Sequence, residues 1–278
     1  MEQRKLIRLG NSSYAIALPK DWIDKSSLKK GDDVFIERNG NGEIVISPSF
    51  KKNSEKQIEI STDGKDKQTL KREFISEYIK GNSIFKFCGK IDTGQNKDIK
   101  EIVNIFAGCE IVKENEKEIV IKDFFNLEEI DVVNFIRRMD NNIREMFSII
   151  TESIEKDRVS NKELNEIDKI DTDINKFYFL NSRIMMLGID NPSLANRLKI
   201  TPSNFFNNWW LSFHIEHTGD NLKSIAKKMS SKKLDEKSKK QVINVLISLR
   251  NKYENALKTF YNKDKDIIYK IMQEGLKT

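Results

Sequence analysis

Short apolar runs separated by turn residues fill the first 48 positions. RKLIRL (4–9) and SYAIAL (13–18) each read as a short strand, and Gly10, Asn11 and Ser12 between them supply turn chemistry, so a hairpin is predicted. Pro19 suits the first turn of a helix, where its missing N–H has no partner to lose, and the residues that follow offer Trp22, Ile23 and Leu28 for burial. Lys30-Gly31-Asp32 ends that helix. VFIERNGNGEIVIS then alternates on both sides of Asn39-Gly40-Asn41-Gly42, which predicts a second hairpin. The order is β-β-α-β-β. Chains of roughly 40 residues usually need a disulfide, a metal or a partner to fold, and two copies interleaving their hairpins is the simplest remedy.

The pattern changes twice further along. Residues 49–66 are polar and charged and read as a linker leading into a strand. Residues 67–125 mix helix-like runs (QTLKREFISEYIKG, NKDIKEIVNIFAGCE) with strand-like ones (SIFKFCG, EIVKENEKEIVIK), which predicts a small α/β unit. From 126 to 278 the apolar period becomes helical. Ile130, Val133, Ile136, Ile143, Phe147 and Ile150 share one face, and Leu164, Ile167, Ile170, Ile174, Phe177, Ile184 and Leu187 share another. Gly188 and Asn191-Pro192 are expected to break the second helix. Two more helices are predicted at about 203–229 and 235–273, giving an antiparallel up-and-down bundle. The fold class is α+β and multidomain.

Composition narrows the setting. The chain has 278 residues, a third of them charged, and a formal charge of +6, which permits polyanion binding without requiring it. Cys88 and Cys109 are far apart, have no Cys-x-x-Cys spacing and follow no secretory leader, so buried free thiols in a reduced, cytoplasmic setting are expected. No apolar run approaches the roughly 20 residues a membrane-spanning helix needs, so no membrane insertion is expected.

Charge concentrates where the first unit could use it. Residues 1–30 carry seven Lys and Arg against Glu2, Asp21 and Asp24. Arg4 and Arg8 are four apart, so on one strand they point to the same side, where guanidinium forks can grip phosphate or a guanine edge. Lys5, Lys20, Lys29 and Lys30 add positioning contacts to the backbone of double-stranded DNA, and Asn11 and Ser12 sit at the turn between the strands. The stretch RKLIRLGNSSYAIALPKDWIDKSSLKKGDDVFIERNGNGEIVISP resembles the AbrB/SpoVT swapped-hairpin domain. The marks are the turn before a small-residue strand, Leu-Pro-Lys with a Trp soon after, the Leu-Lys-Lys-Gly-Asp step and the final hairpin. This resemblance implies a DNA-binding homodimer formed through residues 1–48.

In the third long helix Glu216 and Asp220 are one turn apart beside an apolar stripe (Leu211, Ile215, Thr218, Leu222, Ile225, Met229), so they offer two oxygen ligands in one direction. SFHIEHTGDNLKSIAKKM (212–229) resembles the Leu-Glu-Arg-x-Gly-Asp-His-x-x-x-Ile-Ala signature of PhoU, the helical phosphate-uptake regulator. Glu216, Gly219, Asp220, Ile225 and Ala226 keep the pattern, while His217 and Asn221 depart from it. DTDINKFYFLNSRIM (171–185) looks like the partner motif, with Asp171 as the first acid and Asn175 where a second acid is expected. The resemblance covers one helical repeat. It implies a metal site built from Asp171, Glu216 and Asp220 with Asn175 as a neutral oxygen donor, holding iron, manganese or magnesium. Asp168 and Asp173 are expected in solvent. A swapped-hairpin domain ahead of a PhoU-like bundle resembles archaeal phosphate-uptake regulators, and it implies control of phosphate-transport or phosphate-responsive genes.

Two other classes compete. No His-Glu-x-x-His, Gly-Lys-Ser/Thr loop or Gly-x-Ser-x-Gly elbow occurs, and Gly219 stands where a Glu-x-x-His motif needs its histidine, so no enzyme is expected. His214 and His217 read as packing or surface residues. Alternatively the chain is an adaptor that dimerises through its first domain and binds a phosphate transporter component through its helices. The run FFNNWWLSF is expected in the core, and the seven lysines of residues 227–240 read as a solvated helix junction.

Overall fold

The structure, a computed structural model, describes residues 2–38, 42–48, 55–126 and 130–262. The chain forms two compact units, Met1–Ser54 and Glu55–Thr278.

The first unit keeps the β-β-α-β-β order with shorter strands than expected. Strands β1 (Ile7–Leu9) and β2 (Ser13–Ala15) pair antiparallel with Arg8 opposite Tyr14. Gly10 takes φ +70°, a conformation glycine reaches without a Cβ clash, and this lets three residues close the hairpin. Arg4 precedes β1, so the expected pairing of Arg4 with Arg8 on one strand does not form. Pro19 is the cap that precedes helix α1 (Lys20–Lys25). After Gly31 come β3 (Phe35–Arg38) and β4 (Ile44–Ser47), antiparallel with Ile36 opposite Ile46. Positions 39–41 of the expected turn lie outside the described residues. The two hairpins form separate two-stranded sheets, and no described residue of this unit reaches the buried class.

The second unit begins with β5 (Gln57–Ser61), so part of the expected linker is a strand. Helix α2 (Lys67–Ile79) returns the chain to β6 (Ile84–Cys88), which pairs parallel with β5. Helix α3 (Thr93–Val103) leads to the antiparallel strands β7 (Cys109–Glu114) and β8 (Glu118–Asp123). The sheet order is β5-β6-β8-β7. Asp66 and Asp92 cap α2 and α3 by accepting from the Thr69 and Gln95 backbone N–H, each at 2.8 Å. Phe74 on α2 meets Phe85 at 4.6 Å and Phe106 at 4.7 Å between ring centres, and both helices bury their apolar faces on the sheet. Cys109 is buried and Cys88 half-buried, both free thiols, and burial raises the pKa of each.

Four long helices follow: α4 (Val132–Lys156), α5 (Asn161–Asp190), α7 (Pro202–Ser231) and α8 (Glu236–Asn262), with short α6 (Pro192–Arg197) between α5 and α7. Their N-termini are sealed locally. Asp131 accepts from the N–H of Val133 and Asn134, Ser160 and Glu163 form a capping box, and Pro202 follows the cap Thr201. Helices α4, α5 and α7 pack on one another, while α8 lies along α4. Met139, Ile143, Met146, Ile150, Ile167, Ile174, Ile215 and Leu222 fill the space between them. At the start of α4 it is Val132 that is buried, and Val133 is exposed. Gly188 does not break α5. It stands inside the helix because a Cβ there would sit 2.3 Å from the Phe205 ring, so this pair of helices can approach only with glycine at that position. The part of the fourth predicted helix beyond Asn262 lies outside the described residues.

Helix α5 also ties the bundle to the sheet. Phe179 stacks on Phe106 at 5.2 Å, and the buried Arg183 pairs with the buried Asp123 at 2.9 Å. Arg183 donates to the carbonyl oxygens of Tyr78 and Asn82, and its guanidinium lies 4.6 Å from the Tyr78 ring centre. The α/β part and the helices are therefore one unit.

Candidate nucleic-acid interface and acid cluster

The expected DNA-binding residues Arg4, Lys5, Arg8, Asn11, Ser12, Lys20, Lys29 and Lys30 are all exposed. Arg8 donates through Nε to the Gly10 carbonyl at 3.1 Å, which holds its side chain over its own turn beside Asn11 and Ser12. Arg4 pairs with Glu2 at 2.7 Å; this contact is solvent-exposed and weak enough for phosphate to replace it. Lys20 opens α1. The Lys29 N–H donates to Asp32 at 2.7 Å, fixing the step that carries Lys29 and Lys30. Apolar side chains of the same unit are exposed too: Leu6 is 69% exposed, Ile36 64% and Ile44 62%.

The acid cluster differs from its expectation. Asp171 on α5 is buried, and its charge lies close enough to Glu216 and Asp220 on α7 to raise the pKa of both. Burial and then the charges of Asp220 and Asp171 push the Glu216 pKa up to about 7, against an opposing pull from Lys71 of α2. Burial followed by Asp171 raises Asp220, opposed by Lys223, His217 and Lys71. What completes the group is Lys223, whose Nζ lies 2.9 Å from Asp171 Oδ2 and 2.9 Å from Asp168 Oδ1. Burial lowers the Lys223 pKa, and the bonds to Asp171 and Asp168 more than offset this, leaving it above the usual lysine range. Asn175 turns its amide nitrogen to Asp171, donating to the Asp171 carbonyl at 3.0 Å and to Oδ2 at 3.4 Å, so it acts as a donor where an oxygen ligand was expected. Asp168 is held by Lys223 instead of lying free in solvent, while Asp173 pairs with Lys176 at 3.1 Å.

Asp171, Glu216 and Asp220 are neighbours at the α5–α7 contact, with Asn175 turned to Asp171 as a donor. Among the described residues no group of three or more His, Cys, Asp or Glu side chains is placed to hold a metal ion. The Lys223 ammonium already stands on Asp171 Oδ2, the oxygen to which Asn175 also donates. Beside it lies a cleft of about 650 Å³ between α2 and α3 on one side and α5 and α7 on the other, lined by Lys71, Asp171, Asn175, Lys223 and Lys227 among others. Sequence spacing missed Lys223 because it lies at an unspecified position of the signature, and Lys71 because it comes from another element.

The aromatic run on α7 divides. Phe205 is buried and Trp209 half-buried, donating to Ser182 at 3.2 Å, but Phe206 and Trp210 are about half exposed, contrary to the expected core placement. His214 and His217 are surface residues packed on Trp210 and Phe213.

No helix among the described residues is long and apolar enough to cross a membrane. No curated protein and no solved structure matches the chain. One family model, described as antidote-toxin recognition MazE, bacterial antitoxin, matches residues 7–56, the span of the two hairpins and α1. The first unit is thus similar to a MazE antitoxin domain, which supports the swapped-hairpin likeness read from its sequence.

Proposed function

We propose that this protein is a homodimeric regulator that binds double-stranded DNA through its first unit and controls phosphate uptake through the signal or partner received by its second. The carrying observation is a 54-residue unit with exposed aliphatic strands, no buried residue among those described, and a cationic edge, matched over residues 7–56 by a MazE model. Pairing two copies buries those strands and brings two sets of Arg4, Arg8, Lys29 and Lys30 together. Phosphate contacts of this kind release counterions, so affinity falls steeply with salt. The phosphate part of the reading is supported by the resemblance of residues 171–185 and 212–229 to PhoU.

Fluorescence titration of the full chain against mixed-sequence duplex DNA at two salt concentrations tests the binding. Wild type is expected to bind with strong salt dependence, and Arg4→Ala with Arg8→Ala to weaken binding about 10-fold or more with a shallower salt slope. Absence of binding at low salt overturns the DNA reading and favours the adaptor. DNA occupancy across the genome in phosphate-starved and phosphate-replete cells tests the physiology, and unchanged occupancy removes the phosphate assignment.

A further inference from the structure

We infer that Lys223 is a built-in cation for the acid cluster of the second unit, so that the cluster is assembled without a metal ion and becomes a divalent-cation site only when that ammonium is removed. The inference concerns the second unit alone and is independent of whether the first binds DNA.

Four carboxyl groups gather at the α5–α7 contact: Asp168 and Asp171 from α5, Glu216 and Asp220 from α7. Like charges at this density need a countercharge or must take up protons. Two elements supply one. Lys223, one turn beyond Asp220 on α7, reaches across to α5 and places Nζ 2.9 Å from an oxygen of each aspartate. Lys71 of α2 acts on Glu216 and Asp220 from the far side of the cleft. Asn175 adds an N–H toward the same Asp171 oxygen that Lys223 contacts.

A divalent cation binding Asp171 has to stand about 2.0–2.6 Å from its oxygens. Both hydrogen-bond donors now on Oδ2 occupy that approach, and one of them is a full positive charge. Metal entry at Oδ2 therefore requires Lys223 to swing away and leave two aspartates, one of them buried, without their partner. Without the lysine, the same carboxylates form a set of hard oxygen donors on facing helices, the chemistry that magnesium and manganese take. A neutral Asn175 fits this arrangement: a second acid there would add a negative charge directly beside the Asp171–Lys223 pair.

The test is calorimetric titration of the full-length protein with MnCl2, paired with thermal melts in EDTA and in millimolar Mn2+. Wild type is expected to take up no stoichiometric Mn2+ and to melt at the same temperature in both. Lys223→Ala is expected to melt about 5 °C or more lower in EDTA, to recover most of that loss in Mn2+, and to lose the recovery when combined with Asp171→Asn. Lys223→Arg keeps the charge and is expected to behave as wild type. Stoichiometric Mn2+ uptake by wild type that Asp171→Asn abolishes overturns the inference. So does a Lys223→Ala protein that melts like wild type and ignores Mn2+. Should Lys223→Ala fail to fold, the wild-type titration and the metal-insensitive Lys223→Arg variant still decide.

Discussion

The two units solve the problem of burial in opposite ways. Unit one spends its apolar residues on two narrow hairpins and one six-residue helix, and Leu6, Ile7, Leu9, Ile36 and Ile44 stay exposed. Unit two packs helices on a sheet and helices on one another, and its interior is filled by two clusters of buried side chains. A two-stranded hairpin offers one face and nothing to lay on it, whereas an amphipathic helix beside another helix buries both faces at once. Within one chain the first unit thus leaves its apolar strands uncovered, whereas the second buries its own.

That contrast can be broken most severely from the first unit. Ile36→Asp adds a charge where one chain leaves an aliphatic side chain in water, so a self-sufficient unit would tolerate it. In an interleaved dimer it is expected to lower the mass in light scattering from twice 32.4 kDa to 32.4 kDa and to abolish DNA binding. In the second unit, Arg183→Met leaves Asp123 buried without its cation, at a cost of about 3–5 kcal/mol in denaturant unfolding. Gly188→Ala puts a methyl group into the Phe205 ring, and about 1–3 kcal/mol of overpacking should follow in the same measurement.

A smaller effect sharpens the comparison through pH. Glu216 holds its proton more tightly in the folded state, with a pKa of about 7 against an ordinary 4.5. Between those values the folded chain binds more protons than the unfolded one, so this group's contribution to stability falls as pH rises through the window and stays low above it. Glu216→Gln should therefore exceed wild type by about 1–2 kcal/mol at pH 8, allowing for solvent screening, with the gap closing toward pH 4.5. Denaturant melts at pH 5 and 8 check this; a gap independent of pH sinks it. The smallest expected effect is Arg4→Ala, which removes only an exposed pair with Glu2 and should change stability by under about 0.5 kcal/mol.

Much of this organisation was legible in the residues. The turn residues Gly10-Asn11-Ser12 between two short apolar runs announced the first hairpin, and the β-β-α-β-β order and its swapped-hairpin likeness followed from patterns a few residues long. Helical periods placed α4, α5 and α7 to within a few residues, because a stripe repeating every three or four positions is set by burial along one element. Legibility failed where partners come from distant positions. Gly188 read as a breaker because its reason, the Phe205 ring, lies on another helix. The linker read over 49–66 ran past the start of the strand it led into, because the partner of β5, β6, follows a whole helix later.

The candidate site divides along the same line. Sequence by itself determined that Arg4, Arg8, Lys29 and Lys30 lie together near the amino terminus, that Glu216 and Asp220 share a helix face, and that the chain changes from strand to helix periodicity, since each depends on spacing within one segment. Only the tertiary structure decided what the carboxylates face. Lys223 meets Asp171 across 52 positions of chain, Lys71 approaches from a different layer, and charge balance inside a packed unit depends on which distant groups folding brings within a few ångströms.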